Sequence, residues 1–388
     1  MRIDASITLQ VMIKYFASLF ALTLFSVSAN AQTSPNCPTP EALKDGWTIG
    51  SAAEVGIDHD ALCSLDTFIG HLPQPNIHAV IVARHGKLVA ERYYSGIDQR
   101  GLQPASTVRF SPTVKHDLRA MTDGVVSLLV GIAMGESKFP SLDSSVMDLF
   151  PQYADLRTPG KAAITWRQVL TMSSGLGWNE QIAYENPTNS ANLLNTSTDP
   201  TRFILEQPMW GPAGKYFLYS GGSTALLMAA LAKTTGRAID DYAREKLFAL
   251  LEIRDFDWLK MQGSGQFSPW GLRLAARDTA KLGQLLLSDG TWNGKRVLPA
   301  KWAAESIQPR LNAKDLYYCG YHWWLGRSFL RGRDLAWAGA MGYGGQRMWV
   351  VPALDLVVMV NAGHYGEYQQ FVIPEAIFSS LVLPATRD

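Results

Sequence analysis

The chain has 388 residues, 47% of them apolar and 18% charged, with a formal net charge of +1. That length suits one large core or two modest ones, and the composition excludes a disordered or fibrous protein. With no basic run in the sequence, nothing favours nucleic acid or an acidic membrane surface as a partner.

Arg2 and Lys14 give a positive start, Tyr15 to Val27 is an apolar run, and Ala29, Asn30 and Ala31 fit a small-x-small cleavage pattern. The run is shorter than the ~20 residues a membrane span needs. Residues 1–31 therefore read as an export signal. The expected mature chain is periplasmic or secreted, starts near Gln32 and has no membrane anchor. Residues 32–56 form an N-terminal extension with Pro35, Pro38 and Pro40. In an oxidising compartment Cys37 and Cys63 are candidates to pair, leaving Cys319 as a buried thiol. The seven His are scattered, with no i,i+4 pair and no Cys-x-x-Cys, so local spacing gives no metal site. No cofactor is expected.

From Ile57 to Leu72 the pattern predicts a helix capped by Asp58. Two apolar runs, 79–83 and 87–93, flank His85 and Gly86 as a hairpin. His116 to Gly135 then reads as a helix with Asp117 as its cap and Gly135 as its stop. From Val125 onward it is apolar nearly all round, which places it at the centre of a large domain. Shorter helices are expected over 146–150 and 165–172. Residues 177–215 are polar, rich in Asn, Thr and Pro, and long enough for a lid or pocket wall. Helices follow over 223–234, 239–250 and 275–288, then strands over 321–325, 335–338, 346–351 and 356–361, and a closing helix over 368–381. Strands at both ends with helices between them fit an α+β fold. Both terminal regions would complete one antiparallel sheet flanked by helices, with a helical region of about 117–290 inserted into a domain of 57–388.

Several stretches in this order resemble the serine β-lactamase superfamily, in the branch of class C-like esterases, penicillin-binding-protein-like hydrolases and 6-aminohexanoate-dimer hydrolases. They are the central helix, Val169 to Leu176 with Trp178, Phe217 to Gly221, Gly271 to Leu274 with Arg277 and Asp278, Leu282 to Gln284, Gly320 to Trp324, and Gly342 to Gln346. The resemblance implies a β-lactamase/transpeptidase-like fold and acyl transfer on an ester or amide. In that chemistry a Ser at the start of the central helix attacks the carbonyl, and a Lys three residues on shares its proton. It also implies a proton-moving role for Tyr219, with Trp178, Ser220, Gly342, Tyr343, Gly344, Gly345 and Gln346 as substrate-binding positions.

The pattern departs at its centre. Ala120 stands at the nucleophile position and Asp123 at the Lys position. Two readings follow. One is a pseudoenzyme that keeps a pocket for a small ester or amide ligand. The other is a hydrolase with altered chemistry, in which Asp123 and Tyr219 activate water. A blander role for Asp123 is an ion pair with Arg119 one turn earlier.

Overall fold

The computed structural model describes residues 37–387; the expected export signal, residues 1–31, lies outside the described residues. A nine-stranded sheet organises the fold. Its strands are β1 (Thr48–Ile49), β2 (Ile77–Arg84), β3 (Lys87–Tyr93), β4 (Leu311–Asn312), β5 (Tyr318–Cys319), β6 (Trp324–Leu330), β7 (Arg333–Gly342), β8 (Gln346–Val351) and β9 (Leu356–Ala362). Their spatial order is β1-β3-β2-β9-β8-β7-β6-β5-β4. Only β1 runs parallel to its neighbour. The N-terminal hairpin joins the C-terminal strands where β2 pairs antiparallel with β9, Val82 opposite Val358. The two ends of the sequence thus complete one sheet.

Every residue of β2 is buried, because both faces of the sheet are covered. Alternation sends Ala79, Ile81 and Ala83 into one core and Val80 and Val82 into the other. The first core lies under three long helices, α1 (Thr122–Gly135), α2 (Gly221–Thr235) and α3 (Ala276–Leu287). The second is closed by the helices His59–Cys63 and Leu65–Gly70 and by the C-terminal helical segment from Gln369. The described residues form one compact unit that includes the helical region. No helix among the described residues is long and apolar enough to cross a membrane. Cys37 and Cys63 are joined in a disulfide, with Cα atoms 5.0 Å apart.

Helix α1 is the central element. All its residues from Thr122 to Ala133 are buried. Gly124 and Gly131, seven residues and hence two turns apart, lie on one face. A methyl group on Gly131 would stand 2.3 Å from Trp302 Cδ1, and one on Gly124 2.8 Å from the Trp323 ring. These glycines let two indoles lie directly on the helix backbone, which accounts for part of the high Trp content. Helix α2 is capped by the Ser220 side chain, which accepts the Ser223 N–H at 3.2 Å, and stopped by Gly236 at φ +68°.

The start of α1 differs from the sequence reading. Lys115–Asp117 is a strand that pairs with Phe267–Ala275, not the first turn of a helix. Asp117 does not cap. Its carboxylate is buried between the Arg273 guanidinium and the Gly101 N–H, 2.6 Å away. A buried ion pair and a strand ladder outweigh a local capping preference that is worth ~1 kcal/mol. Arg119–Met121 forms a short 3-10 turn, and the α-helix proper begins at Thr122.

Candidate active site

Ala120 sits in the turn between the Lys115–Asp117 strand and α1, which fixes its place at the head of the central helix. The preceding residue, Arg119, has φ +52°, a left-handed conformation that costs a non-glycine residue free energy. Its guanidinium donates to the Gln99 and Gly101 carbonyls at 2.7 and 2.9 Å and lies 4.9 Å from the Tyr365 ring centre. Arg119 is therefore not the partner of Asp123. The end of β7 closes the other side of the turn. A methyl group on Gly342 would lie 2.4 Å from the Leu118 carbonyl oxygen, so only a glycine admits this approach.

In the first turn of α1, Asp123 is 4% exposed. Its Oδ2 accepts the Tyr219 hydroxyl at 2.8 Å, and its Oδ1 lies 2.7 Å from Thr224 Oγ1. Thr224 Oγ1 is in turn 3.4 Å from His322 Nδ1. His322 Nε2 faces the Val169 carbonyl at 3.2 Å. Burial pushes His322 down to about 4, which keeps the ring neutral.

The Thr224 and Tyr219 hydroxyls each donate to one of the two carboxyl oxygens, and the Asp123 backbone carbonyl accepts from His322. Burial pushes the Asp123 carboxyl up to about 8, against the opposing pull of the Thr224 and Tyr219 hydrogen bonds and with the help of the nearby Glu180 charge. The carboxyl is therefore mostly neutral at pH 7. Burial above all raises Tyr219 well above its ordinary value, so it is a phenol rather than a phenolate.

Next to this network is a cavity of about 10 Å³, lined by Asp123, Met172, Tyr219, His322, Trp323 and Trp324 among others. That is room for about one water. Trp324 stacks on Tyr219 with ring centres 6.2 Å apart. Met172 and His322 have φ of +54° and +60°, so with Arg119 three non-glycine residues in left-handed geometry surround the site. Such strain persists where surrounding structure enforces it, commonly at functional sites. Cys319 also lines the cavity, but burial pushes its thiol up to about 12, far from a reactive thiolate.

The remaining sequence candidates divide in two. Trp178 is buried, donates its indole N–H to Glu180 and covers Gly222, where a methyl group would meet the ring at 2.7 Å. Glu180 also accepts the Gly221 N–H at 2.8 Å, and burial pushes its carboxyl up to about 7. Ser220 is occupied as the α2 cap. Gln346 is buried and bridges Tyr343 O and both backbone groups of Ala362. Gly344 and Gly345, at φ +92° and +96°, make the turn from β7 to β8. Tyr343 at the tip of that turn is 48% exposed, and burial of the rest of the side chain raises its phenol. Thr224, His322 and Glu180 had no signal of their own in the sequence, although the first lies four residues beyond Ser220 and the last two residues beyond Trp178.

A family model described as Beta-lactamase matches residues 75–370. The chain belongs to the beta-lactamase family. A 6-aminohexanoate-dimer hydrolase of Paenarthrobacter ureafaciens is 23% identical over 331 residues, covering 79% of this chain and 78% of that protein. Among solved structures, a penicillin binding protein from Bacillus halodurans superposes with a TM-score of 0.63 at 15% identity, covering 81% of this chain and 99% of that one. A class C beta lactamase from Rhodobacter sphaeroides gives 0.59 at 18% identity, with 81% and 97% covered. These structural likenesses carry the fold, a mixed α+β architecture of the β-lactamase/transpeptidase type. The lineage is that of serine hydrolases.

Proposed function

We propose that this protein is an exported, catalytically silent member of the beta-lactamase family. The observation that carries the proposal is the pair at the head of α1: Ala120 has no nucleophilic atom, and Asp123 is a neutral hydrogen-bonding group where a proton-sharing amine would stand. Loss of the nucleophile in an enzyme of this type costs ~10⁶ in rate. A neutral carboxyl cannot take up the missing proton either. In place of chemistry, the Tyr219–Asp123–Thr224–His322 network locks α1, α2 and the segment before β6 together. A small ester or amide ligand would be met at the rim, by Tyr343 and the 177–215 segment, because the space beside Asp123 holds about one water. Export is supported by the Cys37–Cys63 disulfide, a bond typical of oxidising compartments.

The test is hydrolysis of p-nitrophenyl esters, a β-lactam and short amide dimers. The wild-type protein is expected to run at the uncatalysed rate. Saturable turnover would overturn the proposal. A second reading rests on the cavity beside Asp123 and Tyr219: above pH 8 the ionised carboxylate could activate a water there. It requires turnover that rises with pH through about 8 and disappears in Asp123→Asn.

A further inference from the structure

A second cluster lies beneath the Ala120 turn and takes no part in the network just described. His78 comes from β2, Asp98 from the end of the strand Ser95–Asp98, and His116 from the strand that leads into the turn. The three are 20 and 18 residues apart in sequence and are exposed by 0%, 3% and 0%. His78 Nδ1 is 2.8 Å from His116 Nε2, and His116 Nε2 is 3.4 Å from Asp98 Oδ1.

Proton accounting makes this arrangement incomplete. His116 Nδ1 faces the Asp117 carbonyl at 2.9 Å, an acceptor, so that nitrogen carries a proton. His78 Nε2 faces Asn76 Oδ1 at 3.2 Å. The Asn76 amide cannot be turned round, because its Oδ1 accepts the Ile97 N–H at 2.9 Å and its Nδ2 donates to the Ile97 carbonyl at 3.0 Å. The outer nitrogen of each ring is therefore the protonated one. The inner nitrogens then present two lone pairs to each other beside a carboxylate, an arrangement that a bound cation relieves. One additional proton on His116 Nε2 would point at His78 or at Asp98 but not at both. A metal ion satisfies all three at once.

We propose that His78 Nδ1, His116 Nε2 and Asp98 form a buried binding site for a divalent transition-metal cation, zinc by the chemistry of its donors. Two imidazoles and a carboxylate are a common ligand set for zinc, and both rings have their outer N–H held by a carbonyl oxygen, as metal-bound histidines do. Tetrahedral zinc with bonds of 2.0–2.1 Å holds its ligand atoms about 3.3 Å apart. The three ligand atoms here lie within 4.8 Å of one another, so binding needs the two rings to separate by about 0.5 Å. The Tyr365 hydroxyl donates to Asp98 Oδ1 at 2.7 Å and holds that carboxylate in place. The Phe110 ring stacks on His78 at 4.4 Å as an apolar wall. Tyr365 also carries the Arg119 guanidinium, so the ion would brace the Ala120 turn from below without touching Ala120.

The experiment is metal analysis of the full-length protein, purified without chelator and gel-filtered. We expect about one zinc per chain, falling below about a tenth of an equivalent in His78→Gln and His116→Gln. Since buried substitutions can prevent folding, a second measurement uses wild type alone. Protein grown with cobalt should show the visible absorption of tetrahedral Co²⁺ without thiolate-to-metal charge transfer. Wild type with less than about a tenth of an equivalent of metal would overturn the proposal. So would metal retained by both folded variants, or a thiolate band pointing to Cys37, Cys63 or Cys319. A melting temperature of the metal-free protein that added zinc does not raise would also overturn it.

Discussion

Asp123 is the residue on which the two readings of the site part. A carboxyl whose folded-state value is raised stabilises the fold fully below the unfolded value near 4 and loses that contribution as pH rises through the folded value of about 8. Between these limits the native state holds one proton that the unfolded chain has released, so stability should fall by about 1.4 kcal/mol per pH unit. Glu180, raised to about 7, adds a decline of the same sign over its narrower window. Asp123→Asn keeps the acceptor for Tyr219 and does not titrate. Urea unfolding from pH 5 to pH 9 should therefore show a shallower decline in the variant and a crossover, with Asn the more stable at alkaline pH. Parallel curves would contradict a buried neutral carboxyl. The position of Asp123 and its link to Tyr219 were legible in the sequence through the resemblance. Thr224 and His322, the other members of the network, were not, because Thr224 lies 101 residues from Asp123 and His322 a further 98 from Thr224. The expected Arg119–Asp123 pair fails for a local reason. At φ +52° Arg119 is outside the helix, so the i,i+4 spacing has no helical geometry to act through.

At the scale of elements, the account rests on close backbone contacts at α1 and β7. Gly131→Ala drives a methyl group into Trp302 and should cost about 1–3 kcal/mol of stability in urea melts. Gly342→Ala meets the rigid Leu118 carbonyl rather than a side chain, so it should cost at least as much and shift the Tyr343 turn away from Ala120. A loss below about 0.5 kcal/mol for both would show that these contacts relax easily. The apolar run from Val125 to Ala133 made the existence of α1 legible, and its C-terminal end falls where Gly135 indicated. Its beginning was misread because Asp117 has the chemistry of a cap. The partner that claims it, Arg273, lies 156 residues away on a strand that local periodicity does not reveal. The hairpin at His85 and Gly86 and the pair of strands around Pro352 to Asp355 were legible because turn chemistry is local.

At the scale of the molecule, one sheet with two covered faces follows from buried strands at both ends of the sequence. The disulfide adds a covalent tie between the extension and the first helix. For the 26-residue separation of Cys37 and Cys63, the loop-entropy model gives about 3.5 kcal/mol. Reduction, or Cys37→Ser with Cys63→Ser, should lower the urea midpoint accordingly, and an unchanged midpoint would show that the extension adds nothing to stability. The overall arrangement of layers could be read from the order of strands and helices. The His78–Asp98–His116 cluster could not, since it exists only once three strands are assembled.

The central claim is that this fold of a serine hydrolase lineage has no nucleophile for acyl transfer. Intact-mass measurement after exposure to a serine-directed fluorophosphonate tests it most directly, with Ala120→Ser/Asp123→Lys treated in parallel. The account predicts no mass gain on the wild-type chain, whether or not the double variant reacts. A stoichiometric adduct on the wild-type chain would contradict it.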